Sequence, residues 1–111
     1  MSLAPGTAGQ AAGVEFESFG EGRIAVRGEL SFQTATRALD ASEGLFSPHQ
    51  DLEIDLAGVG RVDSAGLALL LEWVSWARNQ SRTVHFRNIP QQLLSMAQIS
   101  EVEAMLPRAA D

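Results

Sequence analysis

Asp63 and Ser64 are the residues of this chain best placed to do chemistry. They stand side by side in Val62-Asp63-Ser64-Ala65-Gly66-Leu67, after a short apolar strand pattern and ahead of a leucine-rich run. The pattern predicts a strand ending at Asp55-Leu56, a loop carrying Gly58 and Gly60, and a helix that opens at Ala65-Gly66 and runs to about Asn79. The backbone N–H groups of a first helical turn have no helical partners. Asp63 or Ser64 is therefore a natural N-cap, and the helix dipole favours an acceptor oxygen or an anion beside it. Capping alone accounts for such a pair, so a functional role has to rest on the wider pattern.

Other candidate chemistry is thin. There is no G-x-x-x-x-G-K-[ST] phosphate loop, no G-x-S-x-G elbow and no H-E-x-x-H motif, so ATP hydrolysis, acyl transfer and metalloprotease chemistry lack their required parts. His49 and His85 fall in a predicted loop and a predicted strand, with no triad partner evident. Asp51, Glu53 and Asp55 share one face of a strand, where three acids can hold a hard cation. Their alternation with Leu52, Ile54 and Leu56 reads better as the polar side of a half-buried strand, and no calcium-loop glycine accompanies them. Gly58-Val59-Gly60 lacks the G-x-G-x-x-G context of a nucleotide site. No catalytic, cofactor-binding or metal-binding residue is assigned, and the expectation is a protein without enzymatic activity.

The elements that must position Asp63 and Ser64 follow from punctuation and period. The chain has 111 residues, 45% of them hydrophobic, which suits one compact domain, and it contains no Cys. Its net charge of -6, with no basic cluster, argues against nucleic acid as a partner. No stretch approaches the roughly 18 apolar residues of a membrane-spanning helix, and no signal peptide is evident, so the expectation is a cytoplasmic protein without direct membrane insertion. Residues 1–13 are small, with Pro and Gly, and are read as a flexible tail; 14–107 form the domain, and 108–111 a C-terminal tail.

Val14, Phe16 and Ser18 alternate with Glu15 and Glu17. After the Gly20 to Gly22 turn, Ile24, Val26 and Gly28-Glu29-Leu30 complete a predicted hairpin. Thr34 to Leu45 carries Ala35, Ala38 and Leu39 at helical spacing, with Ser31 or Thr34 as cap. Leu52 to Leu56 is a strand, the central helix follows, Val84 and Phe86 mark a last strand, and Leu93, Leu94, Ala97 and Ile99 a last helix behind Pro90. A final short turn spans Val102 to Leu106. The order β-β-α-β-α-β-α predicts an α/β fold, a mixed, mainly parallel sheet with crossover helices packed on it.

The string V-D-S-A-G-L after a strand and a Gly-bearing segment, together with Gly28-Glu29-Leu30, resembles the signature of STAS domains, and the resemblance runs from that triplet to the last helix. It implies the STAS fold. In the anti-sigma-factor antagonists of that family the hydroxyl residue after the Asp accepts phosphate, which makes Ser64 the candidate phosphoacceptor, with an anti-sigma factor or serine kinase as partner. Those regulators usually continue the Gly-Glu-Leu triplet with Asp, whereas this chain has Ser31. The run Ala65 to Trp73 is more similar to the STAS subunits of Gram-negative phospholipid ABC transporters. That likeness implies a non-catalytic subunit bound to the transporter's cytoplasmic ATPase, within a complex with the permease and therefore peripheral at the inner membrane.

On the central helix Leu67, Leu70, Leu71 and Val74 form one apolar stripe, while Leu69, Trp73 and Trp76 form a second, roughly opposite. Either neighbouring helices bury the second stripe or it is a contact surface, since Trp is enriched at interface hot spots. The expected partner-binding set is accordingly Asp63, Ser64, Ala65, Leu69, Trp73 and Trp76.

Overall fold

The computed structural model describes residues 7–11 and 13–110, with side chains from residue 13 onward. Five strands, β1 (Thr7–Ala11), β2 (Val14–Ser18), β3 (Arg23–Leu30), β4 (Asp51–Val62) and β5 (Thr83–Arg87), form one sheet in sequence order. Three helices, α1 (Ala35–Phe46), α2 (Ser64–Asn79) and α3 (Gln91–Ile99), follow β3, β4 and β5 in turn, and a 3-10 turn closes at Glu103–Met105. The sheet is mixed: β1, β2 and β3 pair antiparallel, and β3, β4 and β5 pair parallel. Parallel neighbours need crossovers, which α1 and α2 supply.

Period-2 alternation decides which face is covered. Phe16, Ile24, Val26, Leu52, Ile54, Leu56, Val84 and Phe86 are buried on one face under the helices. The opposite face carries Glu17, Arg23, Arg27, Asp51, Glu53, Asp55, His85 and Arg87, which stay at least partly in water. Polar pairs tie that face across strands: Arg27 to Glu17, Arg87 to Glu53 at 3.0 Å, and Asn88 to Asp55 at 3.0 Å.

Three expectations need correction. β4 does not end at Leu56 before a glycine loop; it continues through Gly58 and Gly60 to Val62. Its register against β3 slips twice, with Ala25 opposite Asp55 but Arg27 opposite Gly58, and Gly28 opposite Val59 but Glu29 opposite Arg61. Extra residues on β4 bulge out, and this is how Val59 and Val62 both reach the core three positions apart. The N-terminal segment read as a tail contains β1, held to β2 by backbone pairing that composition does not reveal; residues 1–6 lie outside the described residues. The C-terminal segment is paired as well: Phe86 donates to the Pro107 carbonyl at 2.8 Å and accepts from the Ala109 N–H at 2.9 Å, which covers the edge of β5.

Candidate functional site

Asp63 does more than cap. It sits in extended conformation at the end of β4, and its Oδ1 accepts from the N–H groups of Ala65 at 2.9 Å and Gly66 at 3.4 Å. Its Oδ2 points the other way and accepts from the Phe32 N–H at 3.0 Å. One carboxylate therefore ties the start of α2 to the turn between β3 and α1, two segments that are distant in sequence. Gly66 completes the approach, because a Cβ there would stand 2.3 Å from the Leu30 carbonyl oxygen. Ser64 is the first helical residue and is exposed, and no hydrogen bond of its hydroxyl is found among the described residues. Ala65 beside it is half-buried.

The turn held by Asp63 is itself closely tied. Ser31 and Thr34 are buried; Thr34 Oγ1 accepts from the Ser31 N–H at 3.0 Å and donates to the Glu29 carbonyl at 2.8 Å. The Ser31 hydroxyl donates to the Glu29 carboxylate and accepts from the Gln33 N–H. Thr34 occupies the N-cap position of α1, yet its hydroxyl serves this turn and not the helix. Phe32 projects from the same turn and is 78% exposed. Sequence reasoning missed Phe32, although a lone aromatic residue in the polar string Ser31-Phe32-Gln33-Thr34 was the available signal.

Two of the three residues of the second stripe of α2 are buried. Leu69 is 4% and Trp73 1% exposed, so the expectation that they dock a partner is overturned. The physical reason is that α2 packs against the sheet, α1 and α3, and α1 closes over Trp73. Phe46 of α1 meets the Trp73 ring edge-on at 5.3 Å, Phe16 meets it at 6.2 Å, and the indole N–H donates to Ser42 Oγ at 2.9 Å. Trp76 is half-buried against Phe46, with the Arg82 guanidinium 5.4 Å from its ring centroid. At 1.5 Å per residue it stands about 18 Å along the helix from Ser64. The structure thus brings Asp63, Ser64 and Ala65 close to the backbone of Phe32, buries Leu69 and Trp73, and leaves Trp76 far along the helix.

The remaining candidates have structural engagements. Asp51 accepts from the Thr83 hydroxyl at 2.7 Å, Asp55 accepts from the Ala57 N–H and from Asn88, and Glu53 pairs with Arg87. The hydrogen bond from Arg87 holds the Glu53 carboxyl below the usual glutamate range. His85 lies exposed on β5 and His49 half-buried before β4. Among the described residues no helix is long and apolar enough to cross a membrane.

Comparison with known proteins agrees with this architecture. The chain is similar to the intermembrane phospholipid transport system binding protein MlaB of Escherichia coli (strain K12) and of Shigella flexneri. With each it shares 38% identity over 56 residues, which covers 50% of this chain and 58% of the relative, so the match spans little more than half of those proteins. Among solved structures it is similar to the anti-sigma factor antagonist SpoIIAA in its unphosphorylated form, with a TM-score of 0.65 at 16% identity over 88% of this chain and 89% of that one. The Bacillus cell fate determinant SpoIIAA in its phosphorylated form gives 0.63 at 16% identity, over 88% and 92%. At such identity these two bear on the fold, which is theirs. The profile of the family described as "Mlab, STAS domain" matches residues 16–107, from β2 through the last turn, and the chain belongs to that MlaB-type STAS domain family.

Proposed function

We propose that this chain is a non-catalytic STAS subunit that binds and stabilises or regulates the cytoplasmic, MlaF-like ATPase of a phospholipid ABC transporter serving outer-membrane lipid asymmetry. The supporting observation is the capped corner at the start of α2, where Ser64 is exposed on a backbone that Asp63 makes rigid. The identity to MlaB, named as a binding protein of a phospholipid transport system, supplies the partner class. Asp63, Ser64 and Ala65 form the docking corner, and the ATPase provides the nucleotide chemistry for which this chain has no phosphate loop. Bound in this way, the domain sits at the inner membrane through the complex and does not enter the bilayer.

The test is co-purification and calorimetry with an MlaF-like ATPase subunit from the same organism. Ser64→Arg, which places a long charged side chain on the corner without touching the core, is expected to abolish binding while the thermal melt stays within a few degrees of wild type. Full binding by that variant would overturn the docking corner. A second reading rests on the same exposed hydroxyl: an anti-sigma-factor antagonist switched by phosphorylation of Ser64, which adds about -1.5 to -2 charge beside Asp63. Intact-mass measurement on protein from its native cells separates the two, because the antagonist needs a phosphorylated population and the transporter subunit does not.

A further inference from the structure

We infer that Phe32 is the apolar anchor of the docking corner and that Asp63 is the positioning residue that holds it beside Ser64. The inference rests on the ATPase-docking reading and names the part of this chain that would supply most of the affinity. Phe32 is 78% exposed, yet its backbone is fixed on every side: Ser31 and Thr34 are buried, Gln33 donates to Ser31 Oγ, and the Phe32 N–H is held by Asp63 Oδ2. An aromatic ring presented on an already ordered turn loses little conformational freedom on binding. Buried aromatic anchors are also the residue class that dominates interface energetics.

The chemistry of Asp63 supports the second half. Capping α2 needs one acceptor oxygen, and Asn is as good a cap as Asp. Here the carboxylate uses its second oxygen on the Phe32 amide, a bond that the NH2 group of Asn cannot accept. Among the described residues the other large exposed apolar side chains, Phe19, Ile99 and Met105, belong to the β2–β3 turn, the end of α3 and the 3-10 turn, and none has such a link to the corner. The occupant is the ATPase subunit, which would offer an apolar pocket for the ring next to a hydrogen-bonding group for Ser64. A net charge of -6 disfavours an anionic bilayer as the alternative.

Calorimetry of the ATPase subunit with the full chain and with Phe32→Ala, Asp63→Asn and the double variant tests this. Phe32→Ala is expected to weaken binding about thirtyfold or more, the hot-spot threshold, with an unchanged thermal melt. Asp63→Asn should weaken binding by a smaller factor and speed hydrogen exchange of the Phe32 amide, while the Ala65 amide stays protected. The double variant should bind no worse than Phe32→Ala alone, because the second change acts through a ring already removed. Wild-type affinity in Phe32→Ala would overturn the anchor, and an undiminished effect of Asp63→Asn in the Phe32→Ala background would overturn the positioning role. Absence of binding by the wild-type chain would overturn the ATPase reading and the anchor with it. Self-association of the wild type that Phe32→Ala abolishes would overturn the choice of occupant in favour of a second copy.

Discussion

Trp73→Ala should strongly destabilise this domain without revealing any role in binding. The side chain is 1% exposed and is enclosed by Phe16, Phe46 and the inward residues of the sheet, so its removal leaves a cavity that rigid neighbours on three sides close poorly. Truncating a core Trp costs about 3–5 kcal/mol. A domain of this size has about 5–15 kcal/mol in total, and a loss near 4 kcal/mol lowers Tm by roughly 15–20 °C. Trp73→Phe keeps the ring contacts and loses volume together with the indole bond to Ser42, for about 1–2 kcal/mol. The Ser42 hydroxyl still donates to the Leu39 carbonyl at 2.7 Å, so no orphaned donor is added. Urea titration followed by Trp76 fluorescence in each variant provides the assay, since only two Trp are present. A Trp73→Ala protein within about 1 kcal/mol of wild type that has lost its partner would refute the burial argument and restore the surface reading of the second stripe.

Two further outcomes follow from the contacts. Gly66→Ala should destabilise the fold by on the order of 1–2 kcal/mol in urea titration: helix propensity favours Ala by about 1 kcal/mol, but a Cβ 2.3 Å from the Leu30 carbonyl oxygen forces backbone apart. A gain in stability would contradict the close approach of α2 to β3. Because Arg87 lowers the folded-state pKa of Glu53, the contribution of that pair is complete above the ordinary glutamate range and is lost as pH falls through the folded value. Urea midpoints measured between pH 7 and pH 3 should therefore fall less steeply in Arg87→Ala than in wild type, and identical slopes would remove Glu53 from the acid response.

How much of this was legible depended on whether a signal was local. The β2–β3 hairpin, α1, α2, β5 and α3 all announce themselves by period and punctuation, and the alternation from Leu52 to Leu56 named the buried face correctly. Gly58 and Gly60 misled because glycine marks loops and bulges alike, and only the register against β3 distinguishes them. The helical wheel of α2 displayed two apolar stripes truthfully but could not say what covered the second, since that depends on where α1 packs.

The site shows the same division at finer scale. A cap at Asp63 was readable because its partners, Ala65 and Gly66, are two and three residues away, whereas the bond from Oδ2 to Phe32 joins positions 31 apart and exists only once β3 and β4 lie side by side. Its origin is the parallel register that sets Leu30 opposite Val62: the chain leaves both strands at one level, so the turn into α1 and the start of α2 must meet. Any acceptor at residue 63 would have found a donor in its own helix. A carboxylate has a second oxygen to spare, and its bond to the Phe32 N–H ties the turn that carries an exposed phenylalanine to the helix start that carries an exposed serine.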